Sequence, residues 1–272
     1  MLEQNYVVAL DPFLAQLSTL RLISKNLNTV DDTTEPDITV GDLFSTPRAN
    51  AFDVVVMNPP FLRNDNPAAP ITVGSKNLMI SAIKNQGIAS IFDNTRQPNL
   101  YFYFVNYIWH YLTDNGRAGI ILMTKFLNNK DGKYLKEFLL DKVEAIISYP
   151  RNYFEGFSVT TVIVILAKKP SNNIKFLNIL ESGLLENSND IKGILSNNQN
   201  TIGLDYTLRV TDRNIDPKDN WKLYLTDPED KFDNLQSLSF LVPLSTFVET
   251  VKRGVAANSG GSNIIYPYFT KE

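Results

Sequence analysis

The sequence predicts an α/β fold in which a parallel sheet carries helices on both faces. Three short apolar runs indicate strands: Tyr6–Leu10, the segment that ends at Val40, and Phe52–Met57. Each run is followed by a polar or turn-forming residue. The segment Phe13–Leu27 lies between the first two runs and has leucines at helical spacing. Because parallel neighbours need a crossover connection, usually a helix, this order indicates a β-α-β unit.

The apolar patterns also predict which side chains are buried. Phe52–Met57 is rich in valine, which is typical of a strand buried on both faces in a parallel sheet. The helix has one apolar face, which is expected to pack on the sheet. That face consists of Leu14, Leu17, Leu20, Leu22 and Ile23.

The most informative segment is Asn58-Pro59-Pro60-Phe61, directly after the third strand. Neither proline can donate to a strand ladder, so the strand ends here, and Pro59 biases Asn58 toward extended geometry. The turn offers a side-chain carbonyl from Asn58, a backbone carbonyl from Pro59 and the ring of Phe61. These groups suit a planar exocyclic amine at the ligand-binding edge of a parallel sheet. The alternative is an ordinary strand-ending turn, because Asn and Pro are common in turns.

The chemistry of amine methylation explains why these groups fit. The lone pair of an adenine or cytosine amine is delocalised into the ring, which makes the amine a poor nucleophile. Two acceptors that bind its hydrogens favour a more tetrahedral nitrogen, and a sulfonium methyl donor then needs only to be held in line. Such catalysis relies on positioning and electrostatic complementarity.

On these residues the chain resembles the catalytic domain of the S-adenosylmethionine-dependent adenine-N6 DNA methyltransferases of restriction-modification systems. The resemblance implies a Rossmann-like methyltransferase sheet, S-adenosylmethionine as cofactor and double-stranded DNA as partner. It implies that Asn58 and the Pro59 carbonyl bind the target amine, with Pro60 in the same catalytic turn. Phe61 is then expected to stack on the flipped adenine. Phe154 is expected to form the second face of the base pocket, with Phe157 as the alternative.

The resemblance also implies cofactor-binding residues. Asp42 would accept a hydrogen bond from the adenine amine of the cofactor, and Leu43 would pack on that ring. Leu10 would pack on the other face of the ring, and Pro60 would line the cofactor site. This chain has Ala9 where the family usually has an acid that binds the ribose, and Asp11 is expected to take over that role.

Downstream, the resemblance predicts a regular order of elements over about a hundred residues. These are a helix at Asn99–Leu112, a strand at Gly116–Met123, a helix at Tyr134–Leu140, a strand at Val143–Ser148 and a closing hairpin at Phe154–Leu166. The aromatic side chains of the first helix are expected to pack in the core rather than to stack on bases.

Two departures indicate that the chain is part of a larger enzyme. The glycine-rich cofactor loop of the family is expected before Tyr6 and is absent there, so the domain is predicted to be truncated at its N-terminus. Residues 241–254 resemble the start of a target-recognition region. We therefore predict a partial methyltransferase domain at 1–170, an extension or linker at 171–240, and the start of target recognition at 241–272. The missing N-terminal portion or a specificity subunit would be the partner.

The segment after Pro170 is richer in Asn, Asp, Ser and Lys. We expect one further strand after Asn173 and otherwise an irregular extension with one or two small helices, including Asp190–Leu195. The polar segment Leu62–Arg96 has two interpretations. It closes over the nucleic-acid backbone, or it is a solvated loop with one helix at Asn77–Lys84.

Composition excludes several classes of protein. The 272-residue chain has no cysteine and a single histidine, His110, which removes cysteine nucleophiles, disulfides and thiolate metal sites, and no metal site is expected. Its net charge of −3 is unlike that of a self-sufficient DNA-binding protein. No apolar run approaches the roughly 20 residues of a membrane span. We expect a cytoplasmic protein that does not associate with membranes.

Two other functions stay open. Related folds with a similar turn, usually with tyrosine in the fourth position, methylate ribosomal RNA or release factors. Phe61 and the long C-terminal extension favour DNA adenine. A third interpretation is a catalytically inactive scaffold subunit that contributes the target-base side of a split site.

Overall fold

The fold contains a seven-stranded mixed sheet and a separate two-stranded parallel sheet. The computed structural model describes residues 6–9, 11–25, 37–45, 48–61, 81–82, 85, 99–128, 132–150, 160–181, 183–184 and 187–225. The described strands are β1 Tyr6–Ala9, β2 Asp37–Val40, β3 Phe52–Met57, β4 Leu112–Met123, β5 Val143–Ser148, β6 Thr161–Ala167, β7 Asn173–Ile179, β8 Thr201–Ile202 and β9 Tyr206–Asp212. The large sheet has the strand order β3-β4-β6-β5-β7-β9-β8, and the small sheet contains β1 and β2.

Four α-helices accompany the two sheets among the described residues. They are α1 Pro12–Lys25, α2 Leu100–Tyr111, α3 Gly132–Leu139 and α4 Ser188–Ser196. Short 3-10 helices span Leu43–Ser45, Thr124–Leu127 and Trp221–Leu225, among others. None of the helices in these described ranges is long and apolar enough to cross a membrane.

The large sheet has apolar side chains on both faces because its strands alternate. On β6, Val162 and Val164 join the main core with α2 and α3, whereas Ile163 and Ile165 pack toward a second cluster. Leu177 belongs to that second cluster, against which side chains of α4 also pack. Helices therefore contribute to both faces, and the predicted α/β architecture is confirmed.

The order of β1, α1 and β2 confirms the predicted β-α-β unit, and β1 and β2 pair in parallel. The predicted pattern of burial is wrong in this region. On α1, Leu14, Leu17 and Leu20 are exposed, and Leu22 and Ile23 are only half-buried. The physical reason is that β1 and β2 form a sheet of only two strands, which leaves most of the apolar face of the helix uncovered.

β3 is also less buried than its valine-rich sequence predicts. Val54 is 68% exposed and Val56 is 84% exposed, whereas Val55 and Met57 pack against the main core. Among the described strands, β3 pairs with β4 and lies at the edge of the seven-stranded sheet. The strand is therefore buried on one face and not on both.

The elements downstream of β3 follow the prediction closely. Helix α2, helix α3 and strand β5 lie where they were expected. β6 covers the end of the predicted closing hairpin, and the start of that hairpin at residues 154–159 lies outside the described residues. The aromatic side chains of α2 are core residues, as expected, and Tyr101, Tyr103 and Tyr107 are among the most deeply buried. β4 begins at Leu112, four residues before the predicted Gly116.

The segment after Pro170 is more regular than the predicted linker. β7 is the expected further strand, and α4 contains the predicted helix at Asp190–Leu195. β8 and β9 were not predicted, and β9 pairs along the whole length of β7. The residue after β9 links this strand to the start of β5, because the Arg213 guanidinium donates to the carbonyls of Leu140 and Val143.

At Gly116 in β4, the surrounding atoms leave no room for a Cβ atom. A Cβ atom there would lie 2.9 Å from the Leu112 Cβ and 3.0 Å from the carbonyl oxygens of Phe52 and Thr113. We expect Gly116→Ala to lower the free energy of unfolding by about 1–3 kcal/mol, the usual cost of overpacking. Urea denaturation measures this change.

Gly119→Ala in the same strand is the matched control. The nearest atom to its added Cβ is the Ile165 Cδ1 at 3.8 Å, an ordinary van der Waals distance. Equal destabilisation by both substitutions would show that loss of glycine in β4, and not the contact at Gly116, determines the effect.

Candidate active site

The turn after β3 lies at the rim of a groove between β1 and β3. This β1–β3 groove has a volume of about 1030 Å³ and is lined by Val7 and Val8, by the whole of β3, and by Asn58, Pro59 and Pro60. The side chains of Phe104, Ile108 and Tyr111 from α2 form another wall. The structure therefore brings Asn58, Pro59 and Pro60 of the predicted catalytic turn into one concave site, whereas Phe61 is not among the residues that line it.

Within the turn, the buried and exposed residues have different roles. Pro59 is buried and anchors the turn, whereas Asn58 and Pro60 are exposed. The Asn58 side chain makes no hydrogen bond to any described residue, so its carbonyl and amide are free to bind a ligand. The ring of Phe61 is half-buried and meets the ring of Tyr101 edge to face, with centroids 6.1 Å apart.

Leu43 lies in the same groove, on a short helix that α2 holds in place. The Tyr111 hydroxyl donates to the Leu43 carbonyl at 3.1 Å, and the Tyr107 hydroxyl donates to the Phe44 carbonyl at 3.3 Å. Phe44 is buried and packs against the ring of Tyr107. The predicted cofactor segment and the helix after the catalytic turn therefore form one unit. The signal for this role was the spacing of two tyrosines by four residues, which places both hydroxyls on one helix face.

The two predicted acidic residues take part in local structure. The Asp42 Oδ1 accepts from the Phe44 amide at 3.1 Å, and the side chain is exposed. The Asp11 Oδ1 accepts from the Phe13 amide at 2.7 Å, which makes Asp11 the N-cap of α1. Asp42 and Asp11 are not among the residues that line the β1–β3 groove. Their predicted contacts with a cofactor stay predictions.

Several predicted residues lie outside the described part of the chain. These are Leu10 in the cofactor site and both Phe154 and Phe157 for the base pocket. Of the segment Leu62–Arg96, only residues 81, 82 and 85 are described, and all three are helical.

An ion pair that the sequence did not indicate lies in the groove. The Arg48 Nη1 is 2.9 Å from the Asp37 Oδ2, and both residues line the groove. The pair joins the start of β2 to the segment that leads into β3. Because both side chains are about 40% exposed, the pair is expected to stabilise the fold by less than about 1 kcal/mol. Its main effect is to place one positive and one negative group near the wall of β1.

His110 is half-buried at the end of α2, close to Lys168 and Lys142. Burial lowers the pKa of His110 below 6.5, and the charges of Lys168 and Lys142 lower that pKa further. Both lysines lie over the neighbouring Trp109 ring, at 4.6 Å and 5.4 Å from its centroid. Among the residues that the structure describes, no group of His, Asp or Glu could hold a metal ion.

The lowered pKa predicts how His110 affects stability. Between its folded value and 6.5, the unfolded chain binds more protons than the folded chain, so the free energy of unfolding rises with pH through this window. Acidification from pH 7 to pH 5 is therefore expected to destabilise the fold, and His110→Gln is expected to weaken that dependence. Because the chain has one histidine, a proton NMR titration of the imidazole measures its pKa directly. A value of 6.5 or higher would contradict the prediction.

Comparison with known proteins decides the family. The sequence profile described as N-6 DNA Methylase matches residues 8–207 of the 272. The chain belongs to this family. The match includes Asn58–Phe61, the segment on which the family was predicted, and the prediction is confirmed.

Curated and solved relatives agree with this assignment. The chain is 28% identical over 251 residues to the Type II methyltransferase M.AccI of Acinetobacter calcoaceticus. The alignment covers 88% of this chain and 40% of that relative, so the chain spans less than half of the relative's length. Among solved structures, the type IIG restriction endonuclease BpuSI has a TM-score of 0.65 at 24% identity, with 78% of this chain and 25% of that chain covered.

A second solved structure has a similar fold. The type I restriction-modification methyltransferase subunit from Streptococcus thermophilus has a TM-score of 0.58 at 18% identity, over 82% of this chain and 47% of that chain. The two structural similarities establish the fold.

Proposed function

We propose that the enzyme containing this chain methylates N6 of adenine in double-stranded DNA, with S-adenosylmethionine as the methyl donor. The observation that supports this most is that Asn58, Pro59 and Pro60 line the β1–β3 groove. Asn58 is exposed there and makes no hydrogen bond to the described residues, while the buried Pro59 fixes the backbone. This arrangement suits a pair of acceptors for the two hydrogens of an exocyclic amine.

Each residue of the turn has a distinct role in this proposal. The Asn58 side-chain oxygen and the Pro59 carbonyl bind the target amine and favour a tetrahedral nitrogen. Phe61, supported by the edge of Tyr101, stacks on the base that has left the duplex. Phe154 forms the other side of the base pocket. No general base with a strongly raised pKa is required, because the nitrogen loses its proton after it becomes positively charged.

The family implies a cofactor, and the groove offers residues that fit it. Leu43 and Pro60 line the groove and suit the adenine ring of S-adenosylmethionine, with Leu10 on the opposite face. Asp42 would accept from the adenine amine, and Asp11 would bind the ribose hydroxyls. The cofactor supplies an electrophilic methyl group on a sulfonium. The chain's own part is to hold the acceptor nitrogen in line with that methyl group.

The net negative charge of the chain is expected to disfavour its binding to DNA. With 26 Lys and Arg against 29 Asp and Glu, this chain offers little net attraction to phosphates. We propose that a further region of the enzyme, or a specificity subunit, carries most of the contacts with the DNA backbone. The segment 241–272 is proposed as the start of target recognition.

A labelling experiment tests this function. The enzyme is incubated with S-adenosylmethionine that carries a tritiated methyl group and with duplex DNA, ribosomal RNA or release factor. The DNA is then digested to nucleosides. We expect label in N6-methyldeoxyadenosine. Label in RNA or protein would instead support the related amino-methyltransferases. Negligible binding of the methyl donor by this chain alone, restored by a partner that carries a glycine-rich loop, would support a scaffold subunit.

A further inference from the structure

One face of α2 extends along the β1–β3 groove. Phe104, Ile108 and Tyr111 line the groove, and their spacing of four and three residues places them on the same side of the helix. Tyr101 is three residues before Phe104, and its ring meets the ring of Phe61 edge to face with centroids 6.1 Å apart. One helix therefore contacts both the groove and the last residue of the predicted catalytic turn.

Two hydroxyl groups of α2 bind the backbone of the short Leu43–Ser45 helix. The Tyr111 hydroxyl donates to the Leu43 carbonyl at 3.1 Å, and the Tyr107 hydroxyl donates to the Phe44 carbonyl at 3.3 Å. The last carbonyls of a helix have no partner among the amides of the same helix, and a helix of three residues consists almost entirely of such ends. The two tyrosines therefore supply hydrogen-bond donors from outside the segment.

Ring contacts accompany these hydrogen bonds. The Phe44 ring meets the ring of Phe104 edge to face at 5.0 Å and lies tilted against the ring of Tyr107 at 4.8 Å. Apolar packing of this kind is non-directional, whereas a hydrogen bond sets both a distance and an angle. The rings therefore hold the segment against α2, and the hydroxyls determine where along α2 it lies. Because Leu43 belongs to this segment and lines the groove, the hydroxyls also determine the position of its side chain.

We propose that Tyr107 and Tyr111 are positioning residues for the methyl donor, whose hydroxyls place Leu43 against the adenine ring of S-adenosylmethionine. This inference rests on the proposed function, in which Leu43 packs on that ring. Tyr107 is fully buried and is not among the residues that line the groove, so its hydroxyl acts on the cofactor only through the Leu43–Ser45 helix. Tyr111 does line the groove. A comparison of the two tyrosines therefore separates positioning from direct contact with the cofactor.

The substitutions Tyr107→Phe and Tyr111→Phe test the proposal, because each removes one hydroxyl and keeps the ring that packs in the core. Calorimetry with S-adenosylhomocysteine, the donor after loss of its methyl group, measures affinity without methyl transfer in the enzyme that contains this chain. We expect each variant to bind about three- to tenfold more weakly than the wild type, the usual effect of losing one hydrogen bond. Tyr206→Phe is the matched control, because it makes the same change in β9, against the second core cluster. It is expected to bind as the wild type does.

Two further measurements separate positioning from a general loss of stability. Without cofactor, amide hydrogen exchange is expected to be faster at residues 43–45 of both variants and unchanged in β4 and β6. In single-turnover transfer, the cofactor concentration that gives half the maximal rate is expected to rise by the same factor as the dissociation constant. The rate at saturating cofactor is expected to stay within about twofold of the wild type, because the lost interaction contributes equally to ground-state and transition-state binding. A partly unfolded enzyme would instead lose activity at an unchanged half-saturating concentration.

Three results would overturn the inference while leaving the proposed function in place. They are wild-type affinity in both variants, unchanged amide exchange at residues 43–45, and a loss of affinity confined to Tyr111→Phe, which would assign that hydroxyl to direct contact with the cofactor. An equal loss of affinity in Tyr206→Phe would also overturn it, because the effect would then not depend on α2. If the wild-type enzyme bound no S-adenosylhomocysteine, the proposed function would fail and the inference would fail with it.

Discussion

Replacing Asn58 with alanine is expected to reduce methyl transfer by about 10²- to 10³-fold, the usual effect of removing one preorganised polar group that acts on the transition state. The side chain is exposed at the rim of the groove and bonds to no described residue, so its removal is not expected to unfold the turn. Pro59 and Pro60 fix the backbone in the variant as in the wild type. The loss therefore falls on the chemical step.

The measurement is carried out on the enzyme that contains this chain. Single-turnover transfer from tritiated S-adenosylmethionine to DNA gives the rate, and calorimetry gives the affinity for the cofactor. Asn198→Ala is the matched control, because Asn198 is an exposed asparagine in the loop before β8. A parallel loss of cofactor affinity in Asn58→Ala would assign Asn58 to the cofactor site. An unchanged rate of methyl transfer would show that Asn58 has no catalytic role.

The elements with strong local signals were predictable from the sequence. β6 alternates between its two faces, α2 consists mainly of aromatic and aliphatic residues, and the double proline follows the end of β3. These features depend on neighbouring residues alone. The first four residues of β4 were missed because Thr113, Asp114 and Asn115 have no apolar alternation. In the structure, these residues lie where the register between β3 and β4 shifts, because Phe52 is opposite Leu112 and Val54 is opposite Arg117.

Other features depend on distant parts of the chain and were not predictable in the same way. β9 has polar residues among its apolar ones and forms a strand because it pairs with β7 over seven positions. The apolar pattern of α1 and β3 predicted buried surfaces, and this prediction is wrong for most of these side chains. It could not indicate that residues within the described chain leave Leu20 and Val56 exposed. A pattern reports which face is apolar and not which segment covers it.

In the candidate site, too, features set by neighbouring residues could be predicted and features set by distant residues could not. The catalytic turn could be located because two prolines after an asparagine have a direct effect on the backbone. The hydroxyls of Tyr107 and Tyr111 could not be assigned, because their acceptors at Phe44 and Leu43 are more than sixty residues away in the sequence. The Arg48–Asp37 pair likewise depends on the approach of β2 to the segment before β3.

Trp221→Ala is expected to lower the free energy of unfolding by about 3–5 kcal/mol, the usual cost of truncating a large aromatic side chain in a core. Trp221 is fully buried, and its indole Nε1 donates to the Asp216 carbonyl at 2.9 Å. Its ring meets Phe176 of β7 edge to face at 6.2 Å, and the Lys136 Nζ lies 5.7 Å from its centroid. One side chain thus joins the segment after β9 to both β7 and α3.

The Lys136 ammonium is expected to increase the loss of stability in Trp221→Ala. Lys136 is buried, and its Nζ donates to the carbonyls of Leu127 and Asp219. Burial lowers the pKa of Lys136, although Asp219 and Asp216 act in the opposite direction. When the indole is removed, the ammonium loses the ring beneath it and the Asp216–Trp221 turn loses its hydrogen bond. We therefore expect a larger effect than loss of apolar area alone would produce.

Urea denaturation followed by circular dichroism measures this change, with Leu223→Ala as the control. Leu223 lies on the same 3-10 helix and is 37% exposed, so its truncation is expected to cost less than about 1 kcal/mol. A single cooperative transition that shifts in Trp221→Ala would show that residues up to 225 fold together with the methyltransferase sheet. An unchanged main transition, preceded by a small separate one, would show that this segment unfolds independently. Because β9 continues the sheet and Arg213 bonds to the backbone at Leu140 and Val143, we expect the cooperative result.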